Sequence, residues 1–244
     1  MPRDTHKSTL GVAQWAGRSD NSHEFKRRYQ WSEVSTIGDI PGIYAWYYLP
    51  EITQFDISRL IESVRDNVSS CDRATAQKQV ETFLEQFIFK FFTEEPYQTI
   101  LRGALKPSYR GELYHCPDMS SNLIDRLVDD PERLVTVKAV LEKSAPDFAS
   151  PIYIGMSEKL GSRLQKHRKL IEKYRAKLPR VTVTPDTERA AQNRDQSFAR
   201  QIAEREINPQ RLFVIVEPIE TSANHYVDLE NILNRIHYPL FGRN

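Results

Sequence analysis

A chain of 244 residues, 39% of them hydrophobic, is long enough to bury a real core and too apolar for wholesale disorder. Two cysteines, Cys71 and Cys116, exclude a disulfide framework and a zinc-finger set. No apolar run approaches membrane-spanning length, and the start, MPRDTHKSTL, lacks the apolar stretch of a signal peptide. The expectation is a cytoplasmic protein with no membrane partner.

Residues 1–20 read as a loosely held polar arm. Ser22 to Trp31, with the basic cluster Lys26-Arg27-Arg28, reads as a short helix, and Ile37 to Pro41 as a turn. Gly42 to Tyr48, GIYAWYY, is aromatic and β-prone and predicts a strand that Pro50 ends. Ile57, Leu60, Ile61, Val64 and Val68 then predict one amphipathic helix. Val80, Phe83, Leu84, Phe87, Ile88 and Phe91 predict a second that Pro96 stops, and its aromatic stripe is core. Ile100 to His115 suits two short strands with turns at Gly103 and Gly111. Asn122–Leu127 and Glu132–Leu141 read as further helices, with Pro146 and Pro151 bracketing the way back to an apolar strand, Ile152 to Ile154. No internal repeat or low-complexity tract is visible.

Ser157 offers an N-cap oxygen to the next helix, on which Leu160, Leu164, Ile171 and Tyr174 recur at inward-facing spacing. His167 lies within that stripe, and Arg163 stands at its edge one turn earlier. A polar pair aimed at a sheet costs desolvation unless something there needs it; the structural alternative is a hydrogen-bonded core histidine beside a snorkelling arginine. Val181 to Val183 is β-prone, and Thr187 to Ile207 is helix-prone with Phe198 and Ile202 to bury. Leu212 to Val216 is a buried-strand run. Ser222 caps a last helix with Tyr226, Leu229, Leu233 and Ile236 as its core stripe and Glu230 flanking it, and Tyr238 to Asn244 is an extended tail.

The net charge of +1 conceals a partition: residues 1–49 carry +1, residues 50–149 carry −5 and residues 150–244 carry +5. Within 159–180 stand nine basic residues, Lys159, Arg163, Lys166, Arg168, Lys169, Lys173, Arg175, Lys177 and Arg180, against Glu172 alone. So one-sided a run on the helix of Arg163 and His167 points to a polyanion rather than to an ordinary solvated face.

Gly42-Ile43-Tyr44 and Tyr153-Ile154-Gly155 resemble the two signature tripeptides of the GIY-YIG nuclease superfamily. Arg163 stands ten residues beyond Tyr153, as in that family, with His167 one turn later. Glu230 follows a third strand on a later helix, and Pro239 and Asn244 come after it. The resemblance covers residues 42–48 and 152–244. It departs from the family in the 109 positions between Tyr44 and Tyr153, which the family usually places about a dozen apart on neighbouring antiparallel strands. It therefore implies an α+β fold, a small central antiparallel three-stranded sheet flanked by helices, forming one nuclease domain. Its core would be 37–49 and 150–244, behind an N-terminal arm 1–36, with residues 50–149 as a mostly helical insertion.

The activity implied is phosphodiester hydrolysis with one divalent metal, Mg²⁺ or Mn²⁺, held by Glu230. Tyr44 would be the general base and Arg163 the phosphate stabiliser. Tyr153 would bind the water or phosphate, His167 would relay the proton or hold Tyr44, and Asn244 would orient the site. A free tyrosine titrates near about 10, so Tyr44 as a base needs nearby cations. DNA is the implied partner, with RNA left open, contacted by Lys159, Lys166, Lys169, Lys173, Lys177 and Arg180. The large insertion suits a restriction or defence enzyme, in which it would read bases or form a homodimer. A structure-specific repair or recombination nuclease and a non-cleaving DNA-binding module on the same fold are the alternatives.

Overall fold

The computed structural model describes residues 27–94, 96–103, 106–115, 119–177, 194–219 and 226–241. They form an α+β protein with a four-stranded and a two-stranded antiparallel sheet. In chain order the strands are β1 (Arg28–Gln30), β2 (Gly42–Tyr48), β3 (Tyr97–Gly103), β4 (Lys106–Leu113), β5 (Tyr153–Ser157) and β6 (Leu212–Pro218). The helices are α1 (Gln54–Ser69), α2 (Arg73–Phe87), α3 (Ser121–Asp129), α4 (Arg133–Phe148), α5 (Leu160–Lys177), α6 (Arg194–Glu204) and α7 (Tyr226–His237). Among the described residues no helix is long and apolar enough to cross a membrane.

The larger sheet runs in the order β1-β6-β2-β5. Strand β2 sits inside it because its aromatic sequence can be covered on both sides. Gly42, Tyr44, Trp46 and Tyr48 alternate as fully buried residues with half-buried Ile43, Ala45 and Tyr47. Across the insertion, β5 returns to pair beside β2, with Tyr44 opposite Gly155 and Trp46 opposite Tyr153. Directly opposed residues share a face, so Tyr44, Trp46 and Tyr153 point to one side. There α5 and α6 cover them with Leu160, Leu164, Ile171, Phe198 and Ile202.

The sheet has one more strand than the three expected. Residues 28–30, part of an expected helix 22–31, pair with β6 instead, from Arg28 opposite Ile215 to Gln30 opposite Phe213. Leu212, Phe213 and Val214 are buried, and an unpaired ladder beside them would leave backbone groups without partners. The Arg28 guanidinium also lies 4.5 Å from the centre of the Phe213 ring. A 3-10 turn, Trp31–Thr36, follows and buries Trp31 and Val34.

The insertion has its own core, in which Ile57, Ile61 and Val64 of α1 meet Val80 and Leu84 of α2 and Leu127, Val128 and Leu134. Several expectations are corrected here. Val68, at the end of α1, is 43% exposed because the packed stripe stops at Val64. Helix α2 ends at Phe87, and a 3-10 turn, Phe89–Phe92, carries Phe91 and Phe92 away to the sheet core, where they meet the Tyr48 ring at 5.1 and 6.2 Å. Gly111 is no turn; it lies within β4 opposite Thr99. Helix α4 continues through Pro146 to Phe148.

The stripe expected on the last helix is largely open. Helix α7 packs along β5, the edge strand, so one narrow side is covered; Leu229 and Leu233 are half-buried while Ile236 is 62% exposed. The tail is tied down at Phe241, fully buried, whose N–H donates to the Ile152 carbonyl at 2.7 Å. The expected helix at 187–207 is observed as α6; its earlier part, the arm 1–20, Ser22, Lys26, Cys116, Arg180, Val181–Val183, Ser222 and Asn244 lie outside the described residues.

Candidate active site

Tyr44 reaches from β2 across β5 at Gly155, where a Cβ would lie only 2.5 Å from the tyrosine oxygen. Gly155 is therefore glycine because the phenol occupies the space above it. That oxygen lies 3.0 Å from His167 Nε2 and accepts from Arg163 Nε at 3.1 Å. An arginine can only donate, so the tyrosine proton is directed at His167, which takes the acceptor role at Nε2. His167 is fully buried between rings: the centroids of Phe198, Tyr153 and Tyr44 lie 5.2, 5.4 and 5.6 Å away. Tyr153 stacks beside Tyr44 at 6.2 Å, and both tyrosines are almost wholly buried. Arg163, half-buried, stands where this cluster meets the helix surface.

The turn before β2 positions that helix. Ser157, the expected N-cap, instead ends β5, and its Oγ accepts at 3.0 Å from the N–H of Lys159, the residue before the helix starts at Leu160. The next three amides go to the turn 38–40: Leu160 N–H to Ile40 O, Gly161 N–H to Gly38 O, and Ser162 N–H to Asp39 Oδ1 at 2.6 Å. Ser162 Oγ donates to the other Asp39 oxygen at 2.7 Å. Asp39 was not foreseen from the sequence; an aspartate in a turn gives no hint that it caps a helix 123 residues away. The two Ser162 hydrogen bonds, aided by Lys159, hold the Asp39 carboxyl below its ordinary range. A depressed carboxylate stabilises above its unfolded pKa, about 3.9, and loses that contribution as the pH falls through the lower folded value. Asp39→Ala should therefore melt below wild type at neutral pH, and the gap should narrow below about pH 4. Thermal melts across that range check this; a gap independent of pH would remove Asp39 as an ionised cap.

Around the outside of α5, helical spacing places Lys159, Arg163, Lys166, Lys173 and Lys177 along one stripe. The four lysines and Lys169 are exposed. Lys166, Lys169 and Lys173 line an open groove of about 430 Å³ with Ser162, Gln165 and Leu170. The basic stripe thus leads to the arginine that holds Tyr44.

Glu230 is half-buried on α7, on the same side as Leu233 and His237 by helical spacing. Those two residues line a cleft of about 220 Å³ together with Tyr44, Ile43, Ile154 and Glu217. The hydrogen-bonded cluster thus unites Tyr44, Arg163 and His167 with Tyr153 stacked against it, whereas the cleft beneath α7 opens on the other face of the sheet, where Ile43, Ala45, Tyr47 and Ile154 point. Glu217 and His237 at this cleft were not foreseen. Glu217 only ends an apolar strand, where it pairs with Arg27, and His237 is two turns from Glu230 on an exposed helix end.

No group of three His, Cys, Asp or Glu side chains among the described residues could chelate a metal. Glu217 is the only carboxylate lining the cleft among the described residues, and Glu230 stands on α7 outside that lining. A single carboxylate can hold only a hard cation that keeps most of its waters, as Mg²⁺ does, and not zinc, which needs three or four protein ligands. Compared with protein-family models, curated proteins and solved structures, the chain finds no match.

Proposed function

We propose that this protein is a metal-dependent endonuclease of the GIY-YIG type that hydrolyses DNA phosphodiester bonds, serving restriction or defence. The observation that carries the reading is the meeting of Arg163 and His167 on the Tyr44 oxygen, with Tyr153 stacked beside it. These are the four residues that the two tripeptides and the Arg-x-x-x-His spacing single out. The neighbouring antiparallel course of β2 and β5, across the long insertion, supports the same reading.

Hydrolysis requires a base for water and a sink for the charge that builds on the phosphate. The Tyr44 proton passes to His167 Nε2 along their hydrogen bond. Arg163, donating to the same oxygen, stabilises the phenolate left behind. The phenolate takes a proton from water as the water oxygen bonds to phosphorus and the P–O ester bond breaks. The departing oxygen takes a proton from solvent, and His167 releases the proton it received to solvent, which restores the site. A guanidinium has five N–H donors, so Arg163 can hold Tyr44 and bind a phosphate oxygen together. The lysine stripe on α5 positions the backbone without reading sequence. Glu230 would hold Mg²⁺ or Mn²⁺, which supplies charge stabilisation at the leaving oxygen when bound.

Supercoiled plasmid should be cut in the presence of Mg²⁺ and remain intact with a chelator. Discrete fragments from a long DNA identify a sequence-specific enzyme, whereas cleavage confined to branched DNA identifies a repair nuclease. A protein that binds DNA and cuts none with either Mg²⁺ or Mn²⁺ would be a binding module, and the proposal would fall.

A further inference from the structure

Strands β3 and β4 form a two-stranded ribbon that pairs with no other strand of the described residues. Its base is defined: the Glu94 N–H donates to His115 Nδ1 at 3.2 Å, and the Tyr97 hydroxyl to Glu94 at 3.0 Å. The ribbon springs from the 3-10 turn that seats Phe91 and Phe92 in the sheet core, so it is rooted beside the proposed nuclease core rather than in the helical core of the insertion. Beyond that base it is exposed. Tyr97, opposite Leu113, and Leu101, opposite Tyr109, make one apolar face with each side chain at least half exposed. Exposed Arg110 lies opposite Ile100 on the other face, and exposed Arg102 follows towards the tip.

A two-stranded ribbon is marginal in water by itself, and so much open apolar surface marks a partner. The charge decides which partner. Residues 97–113 hold three basic side chains, Arg102, Lys106 and Arg110, and one acidic, Glu112, which bonds to Gln98 and Tyr114 near the base. The rest of the insertion carries 9 basic and 16 acidic residues. A basic arm on an acidic body suits a polyanion and leaves its neighbours repelled from it. The dimensions suit duplex DNA: strands about 4.8 Å apart enter a major groove about 12 Å wide.

Resting on the nuclease reading above, we propose that the distal half of the β3–β4 ribbon is a DNA-contacting arm that enters the major groove, with Arg102 and Arg110 on phosphates or base edges. The test is binding of a fluorescent duplex of mixed sequence by the full chain carrying Glu230→Gln, alone and with Arg102→Ala and Arg110→Ala added, over a range of salt. Both arginines are exposed, so the melt should not move. Affinity should fall about tenfold or more, and the slope of log K against log salt should fall by about two. If the parent chain binds and the ribbon variant matches it in affinity and slope, the ribbon proposal falls and the nuclease reading stands. If the parent binds no DNA, both fall. Sedimentation of a Leu101→Ser, Tyr109→Ser variant closes the remaining route: a dimer that becomes a monomer with unchanged DNA affinity would make the ribbon a protein interface and overturn the arm.

Discussion

Glu230→Gln should leave a folded protein that binds DNA and has lost cleavage by orders of magnitude. The position is half-buried on a helix that lies along an edge strand, so an almost isosteric amide should change stability by no more than about 0.5 kcal/mol. DNA binding should hold or improve, because a carboxylate near the phosphates has been removed. Cleavage should suffer because the neutral amide is a far weaker ligand for Mg²⁺ than the carboxylate that the proposal makes its anchor. Glu217→Gln is the matched control. It lines the cleft beneath α7 but is exposed and already pairs with Arg27, so its loss should matter much less. Melting, duplex binding and Mg²⁺-dependent cleavage, measured together on both variants, decide the assignment. Near wild-type cleavage by Glu230→Gln would remove it from the site, and a large loss in Glu217→Gln alone would move the metal there.

Local patterns made the centre of this site legible and long-range contacts hid its supports. Alternation along GIYAWYY fixes which side chains of β2 face inward, and helical spacing on α5 fixes His167 among leucines and Arg163 at their edge. Both patterns operate within a single element. Asp39 escaped because its partner is a helix end that folding brings to it, and Phe198 because nothing in the sequence of α6 shows that its ring faces His167. Strand β1 was misread for a related reason: three residues carry almost no periodicity, and the open edge of β6, rather than their own propensity, makes them a strand. Helix α7 erred in the opposite direction, its apolar spacing promising more cover than an edge strand provides. Gly155 shows a signature residue whose reason lies outside its own strand, in the phenol laid across it.

Tyr44→Phe and Arg163→Lys should each reduce cleavage strongly, and the double variant should lose little beyond the worse of the two. Removing a positioned general base costs typically 10²- to 10⁴-fold. Replacing the arginine fork by the point charge of a lysine should cost about 10²- to 10³-fold, the range seen when a donor to developing charge is lost. Independent roles would multiply these losses. Here the two side chains meet at one oxygen, 3.1 Å from Nε, and once the phenol is gone Arg163 has no phenolate left to stabilise. Groups that act as a unit give such non-additive losses. The Phe variant also strips His167 Nε2 of its phenol partner inside a ring-lined pocket, at a stability cost of about 1–3 kcal/mol. Its melt must therefore be followed, and the rates compared well below the midpoint. His167→Gln places the shared oxygen under a second test, since it too should add little to Tyr44→Phe. Fully multiplicative losses, with all variants folded, would mean that Arg163 serves the phosphate alone and that its contact with Tyr44 is a matter of packing rather than of proton transfer.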